Sequence, residues 1–164
     1  MHDLRPVAAD DAPLAKPELY RQLVAAADAL TAGEHDGVAN MANLAALLWE
    51  WLPDVNWTGF YRLIDDELVL GPFAGRPACL RIPLGRGVCG AAAASGQTQL
   101  VADVHAFPGH IACDAASASE LVVPVLREGV VVAVIDCDSP RLARFDAEDA
   151  AGLEALARVI ADRI

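Results

Sequence analysis

Three acids and four thiols carry most of the reactive chemistry in this sequence. Asp136 and Asp138 flank Cys137 at the end of the apolar run 131–135. Side chains two apart on a strand share a face, so the two carboxylates stand side by side on an apolar sheet. Glu120 opens the preceding apolar run, and antiparallel pairing through a turn at 127–129 brings it near Asp136 or Asp138. Carboxylates gathered in an apolar pocket repel and raise one another's pKa. Such a cluster suits a cationic ligand, or an acid that donates a proton. The competing reading is that the two aspartates only end the strand and begin a turn before Pro140.

The cysteines are Cys79, Cys89, Cys113 and Cys137, and none forms a Cys-x-x-Cys pair. That pattern disfavours a zinc knuckle or a thioredoxin-like dithiol and leaves buried apolar thiols or reactive ones. Cys89 falls just inside a Gly-rich helix start, Gly85-Arg86-Gly87-Val88-Cys89-Gly90, where the helix dipole and free N–H groups favour a thiolate. Cys113 follows His110 by three residues, so an imidazole can assist its ionisation. The help matters, because an unperturbed thiol is only roughly 3% thiolate at pH 7. Cys79 begins a short strand after Pro77-Ala78. If these three thiols converge, one can attack and another resolve. Cys137 alternates to the opposite face from its acidic neighbours and reads as a core thiol. His105, His110 and Cys113, with Asp103 or Asp114, offer a loosely spaced zinc set as the alternative. Trp57 and Tyr61 lie four apart on a strand, hence on one face, and can wall a slot for a thioether methyl. Core packing would give the same spacing.

The elements that must position these groups are legible in outline. Residues 1–16 read as a polar leader and 17–164 as one domain. Helices are expected over Pro17–Thr31, His35–Leu52, Val88–Ala94 and Phe145–Arg163, the last with Asp146 as N-cap. Strands are expected at Trp57–Ile64, Leu68–Phe73, Cys79–Ile82 and Gln99–Val101, with Leu121–Leu126 and Val130–Ile135 as a central hairpin. Residues 103–118 lack periodicity, and a loop that long carrying two His, a Cys and two Asp reads as functional. Strands cluster between helices, which predicts an α+β antiparallel sheet of about five to six strands with helices against it.

Composition narrows the class further. A chain of 164 residues, 55% apolar, buries a core without a metal or disulfide staple. Its net charge of −11 disfavours nucleic acid and anionic membrane surfaces as partners. The first residues carry acids and lack the apolar stretch of a signal peptide, and no run of about 18 apolar residues occurs. The expected compartment is the reducing cytoplasm.

The strings Gly85-Arg86-Gly87-Val88-Cys89-Gly90 and Phe107-Pro108-Gly109-His110-Ile111-Ala112-Cys113-Asp114 are long and unusual. From about residue 35 to the C-terminus, the chain resembles the free methionine-(R)-sulfoxide reductases, single GAF/PAS-like domains. The resemblance implies Cys113 as attacking cysteine, Cys79 as main resolving cysteine and Cys89 as an accessory one. It implies that Trp57 and Tyr61 hold the substrate's methylthio end. Glu120, Asp136 and Asp138 would grip the substrate and assist protonation, while backbone N–H groups around Ile111 and Ala112 cradle its oxygen or carboxylate. Turnover would run through a cysteine sulfenic acid and an intramolecular disulfide, regenerated by thioredoxin, with no metal and no cofactor. Cys137 departs from the family, which usually has an apolar residue there. A homodimer through the N-terminal helices is a further expectation. The alternative of another class is a non-catalytic GAF sensor of a small cationic or amino-acid ligand.

Overall fold

The computed structural model describes residue 6 and residues 13–109 and 115–164. The leader reading of 1–16 therefore lies largely outside the described residues. Among the described residues, four α-helices form: α1 (Lys16–Thr31), α2 (Gly37–Trp51), α3 (Gly87–Ser95) and α4 (Ala147–Ile160). Six strands are β1 (Trp57–Ile64), β2 (Glu67–Gly75), β3 (Arg81–Pro83), β4 (Gln99–Val101), β5 (Ser119–Arg127) and β6 (Val130–Ser139). They form one sheet in the order β3-β2-β1-β6-β5-β4, antiparallel at every step. The α+β expectation, with its sheet of about six strands, matches this architecture.

Local chemistry explains the joints. Asp65 and Asp66 turn the β1–β2 hairpin with φ of 50° and 61°, the left-handed values a two-residue turn needs and Asp tolerates. Asp36 caps α2 by accepting from the Ala39 N–H at 2.9 Å, so that helix starts at Gly37 rather than at the expected His35. Asp146 caps α4 in a reciprocal box with Asp149, as expected from its position. Asp149 is buried and also accepts from the Tyr20 hydroxyl at 2.9 Å and from Arg144, which ties α1 and the entry of α4 together.

The two-residue period of the strands sorts their side chains into two cores. Phe60, Leu121, Val123, Ile135 and Cys137 pack under α1, α2 and α4. Trp57, Tyr61, Val122 and Val134 pack on the other face with α3. Cys137 is thus a fully buried thiol on the helix-covered side, away from the acids that flank it.

Three expectations need adjusting. Cys79 does not begin a strand: β3 starts at Arg81, because the Cys79 carbonyl accepts from the Tyr61 hydroxyl at 3.0 Å rather than from a neighbouring strand. The strands β5 and β6 extend past their apolar runs to Ser119 and Ser139, so all three acids lie inside the hydrogen-bonded ladder. Residues 104–106, within the stretch read as irregular, form a short 3₁₀ turn. Among the described residues, no helix is long and apolar enough to cross a membrane.

Candidate active site

Strand register brings the acids together. Glu120 on β5 pairs with Asp138 on β6, and Asp138 pairs in turn with Trp57 on β1. Asp136, two residues back on the same face, pairs with Gly59. Glu120, Asp136 and Asp138 therefore line the floor of one cleft of about 390 Å³, counting the solvent at its mouth. Tyr61 forms a wall, and α3 contributes Gly87, Val88 and Cys89. Arg86 and Ser117 also line it. The sequence pattern did not single out Ser117; its only signal is its place two residues before β5.

Burial sets the electrostatics. Glu120 is 7% exposed and Asp136 5% exposed, so desolvation is the first cause that raises both carboxyls. Asp136 is pushed up to about 7. Glu120 is held well above the carboxylate range by burial and then by the charges of Asp136 and Asp138. Both shifts favour the protonated form of the pair. Asp136 Oδ1 is buried without a hydrogen-bond partner among the described residues.

That arrangement has a stability consequence with a definite sign. A carboxyl raised in the folded state favours folding fully below its unfolded pKa, near 3.9. The contribution is lost as pH rises through the folded value of about 7. Asp136→Asn removes the titration, so the variant should gain on the parent between about pH 4 and pH 8, by at most ~4 kcal/mol. Urea unfolding of both proteins across that range measures the difference. A constant difference would contradict the raised pKa.

Cys89 does not behave as the helix-start thiolate expected from its position. It is 4% exposed, and burial followed by the neighbouring Asp136 and Glu120 charges pushes its thiol up. Its Sγ donates to Glu120 Oε1 at 3.9 Å. The helix start lies against acids, and their field and the burial outweigh the dipole. Gly90 in the same string permits the close seating of α3, because a Cβ there would lie 2.5 Å from the Pro83 carbonyl.

Trp57 and Tyr61 share a face as predicted and stack at 5.9 Å between centroids; Trp57 also stacks on Phe73 at 5.2 Å. Trp57 Nε1 donates to the Arg76 carbonyl at 3.1 Å. Gly59 lies under this stack: a Cβ there would come within 2.5 Å of Phe73 Cβ and 2.8 Å of the Trp57 ring. Gly59→Ala should cost about 1–3 kcal/mol by overpacking and shift tryptophan fluorescence. Unaltered stability and emission would show that the stack tolerates the methyl.

Cys79 is half-buried and disulfide-bonded, and Cys89 and Cys137 are free. His110, Ile111, Ala112, Cys113 and Asp114 lie outside the described residues. The Asp103 carboxylate, offered above as a zinc ligand, accepts from the His105 N–H at 3.0 Å and caps the 3₁₀ turn.

A six-stranded antiparallel sheet with α1, α2 and α4 on one face, and α3 beside an acidic cleft on the other, has the layout of a GAF domain, and residues 40–164 match that family. The chain is 54% identical over 141 residues to the free methionine-R-sulfoxide reductase of Escherichia coli K12, covering 86% of each chain. It is 42% identical over 155 residues to the enzyme of that name from Saccharomyces cerevisiae, covering 90% of this chain and 86% of the yeast protein. The X-ray structure of free methionine-R-sulfoxide reductase from Neisseria meningitidis in complex with its substrate superposes with a TM-score of 0.89 at 47% identity. That match covers 95% of this chain and 94% of the other. The chain belongs to the free methionine-R-sulfoxide reductase family.

Proposed function

We propose that this protein reduces free methionine (R)-sulfoxide to methionine with electrons from its own cysteines. The observation that carries the reading is the pair Glu120 and Asp136, buried in a cleft whose wall residue Tyr61 hydrogen-bonds the backbone of disulfide-bonded Cys79. Two of the four cysteines are free and Cys79 is bonded. We assign Cys113 the attacking role and Cys79 the resolving one.

In this scheme the Cys113 thiolate attacks the sulfoxide sulfur. Glu120 protonates the oxygen of the resulting S–S-bonded adduct, and as that oxygen shifts to the Cys113 sulfur the adduct's S–O and S–S bonds both break, which releases methionine and leaves Cys113 as a sulfenic acid. The Cys79 thiol then attacks the sulfenic sulfur, expels water and forms the disulfide. An external dithiol, for which we propose thioredoxin in the cytoplasm, reduces that disulfide by exchange. Asp136 and Asp138 receive the substrate's α-ammonium, Tyr61 and Trp57 face its methylthio end, and backbone N–H groups at Ile111 and Ala112 bind oxygen or carboxylate. Cys89 stays protonated and accessory, donating to the acids.

Free substrate is favoured because a peptide-bound residue has no ammonium for the acids, and each charged hydrogen bond contributes about 1.5–3 kcal/mol. The test is methionine production from racemic free methionine sulfoxide and dithiothreitol, beside N-acetyl-methionine sulfoxide. The free compound should turn over at least ~10-fold faster in kcat/KM, the equivalent of one such bond. Equal rates would remove the acids from substrate recognition.

A further inference from the structure

Cys89, Glu120 and Asp136 present one sulfur and two carboxylate oxygens that all lie within 4.8 Å of one another. The Sγ–Oε1 separation is 3.9 Å. Tetrahedral zinc, with bonds of about 2.3 Å to sulfur and 2.0–2.2 Å to oxygen, holds such donors about 3.5 Å apart. All three residues are buried, and they project from α3 and from the paired strands β5 and β6, so the donor set is pre-positioned. Among the described residues, no arginine or lysine forms an ion pair with Glu120 or Asp136. Asp136 Oδ1, fully buried and without a partner there, lies at the floor of the same cleft. A buried oxygen left in that state needs a donor or a cation.

We propose that Cys89, Glu120 and Asp136 form a binding site for Zn²⁺ or a similarly thiophilic divalent cation, and that a metal there blocks the cleft. The sulfur sets the selectivity. Magnesium and calcium require six or more oxygen ligands and disfavour thiolate. Three protein donors leave a fourth tetrahedral position open toward the cleft mouth. The metal occupies the space assigned above to the substrate's ammonium, so only the blocking effect rests on the reductase reading.

Cadmium chloride is the probe, because a cadmium–thiolate bond has an ultraviolet charge-transfer band. It is titrated into the full chain in its oxidised form, where Cys79 is in a disulfide and Cys137 is sealed in the opposite core. One equivalent of Cd²⁺ should bind with a thiolate band that Zn²⁺ displaces. Cys89→Ser should abolish the band. Glu120→Gln and Asp136→Asn, which keep the thiol, should weaken binding by at least ~10-fold; circular dichroism checks that each variant is folded. No band in the parent, or unchanged affinity in both carboxamide variants, overturns the site. Free methionine sulfoxide should displace Cd²⁺, and failure to do so overturns the blocking effect. Metal-free turnover, measured on the same preparation, tests the reductase reading separately.

Discussion

Cys113→Ser should lower turnover of free methionine sulfoxide by at least ~1,000-fold. Cys79→Ser should instead release about one equivalent of methionine and then stall when no small thiol is present. The two variants separate attack from resolution. A hydroxyl at position 113 cannot ionise near neutral pH and has no route to the sulfenic acid. Loss of the thiol at 79 leaves the first step intact and traps its product, which a sulfenic-acid reagent such as dimedone should label at Cys113. Tyr61 gives a supporting handle, since its hydroxyl holds the Cys79 carbonyl at 3.0 Å. Cys89→Ser should keep most activity, because that thiol is buried and pushed up in pKa. Full turnover by Cys113→Ser would refute the assigned nucleophile.

Glu120→Gln should reduce kcat by ~10²–10⁴-fold, the usual contribution of a positioned general acid. Glutamine fills the same volume and keeps a hydrogen-bonding end, so KM should change far less. The sign of the pH dependence follows from the raised carboxyls. The acid must carry its proton, and its companion Asp136 loses one near pH 7. The parent's kcat should therefore fall on the alkaline side as the pair gives up its last proton. In Glu120→Gln that limb should disappear, leaving only the rise from thiol ionisation. The two profiles, compared from about pH 5 to pH 10, measure the effect. Superimposable profiles would move the donor elsewhere.

Much of this site was legible because strand periodicity is strict. Asp136, Cys137 and Asp138 had to alternate, and the structure puts the acids in the cleft and Cys137 in the helix-covered core. The turn at 127–129 likewise brought Glu120 near Asp136 or Asp138, and the ladder pairs it with Asp138. Other features depended on long-range contacts that spacing does not encode. The thiolate expected at Cys89 came from a local rule about helix starts, but β5 and β6 bring two acids against that helix and reverse the shift. Cys79 looked like a strand residue until Tyr61, 18 positions away, took its carbonyl. Strand ends were read short because Ser119, Glu120, Asp136, Asp138 and Ser139 are polar, and apolar patterning stops where a buried polar site begins.

The most direct test of the central claim is a single turnover with fully reduced protein and no added reductant. Excess free methionine sulfoxide is supplied, methionine and remaining thiols are counted, and the product is mapped by non-reducing proteolysis and mass spectrometry. About one methionine should form per chain, two thiols should vanish, and the new cross-link should join Cys79 to Cys113. Methionine formed with that pair still reduced, or none formed at all, would contradict the account.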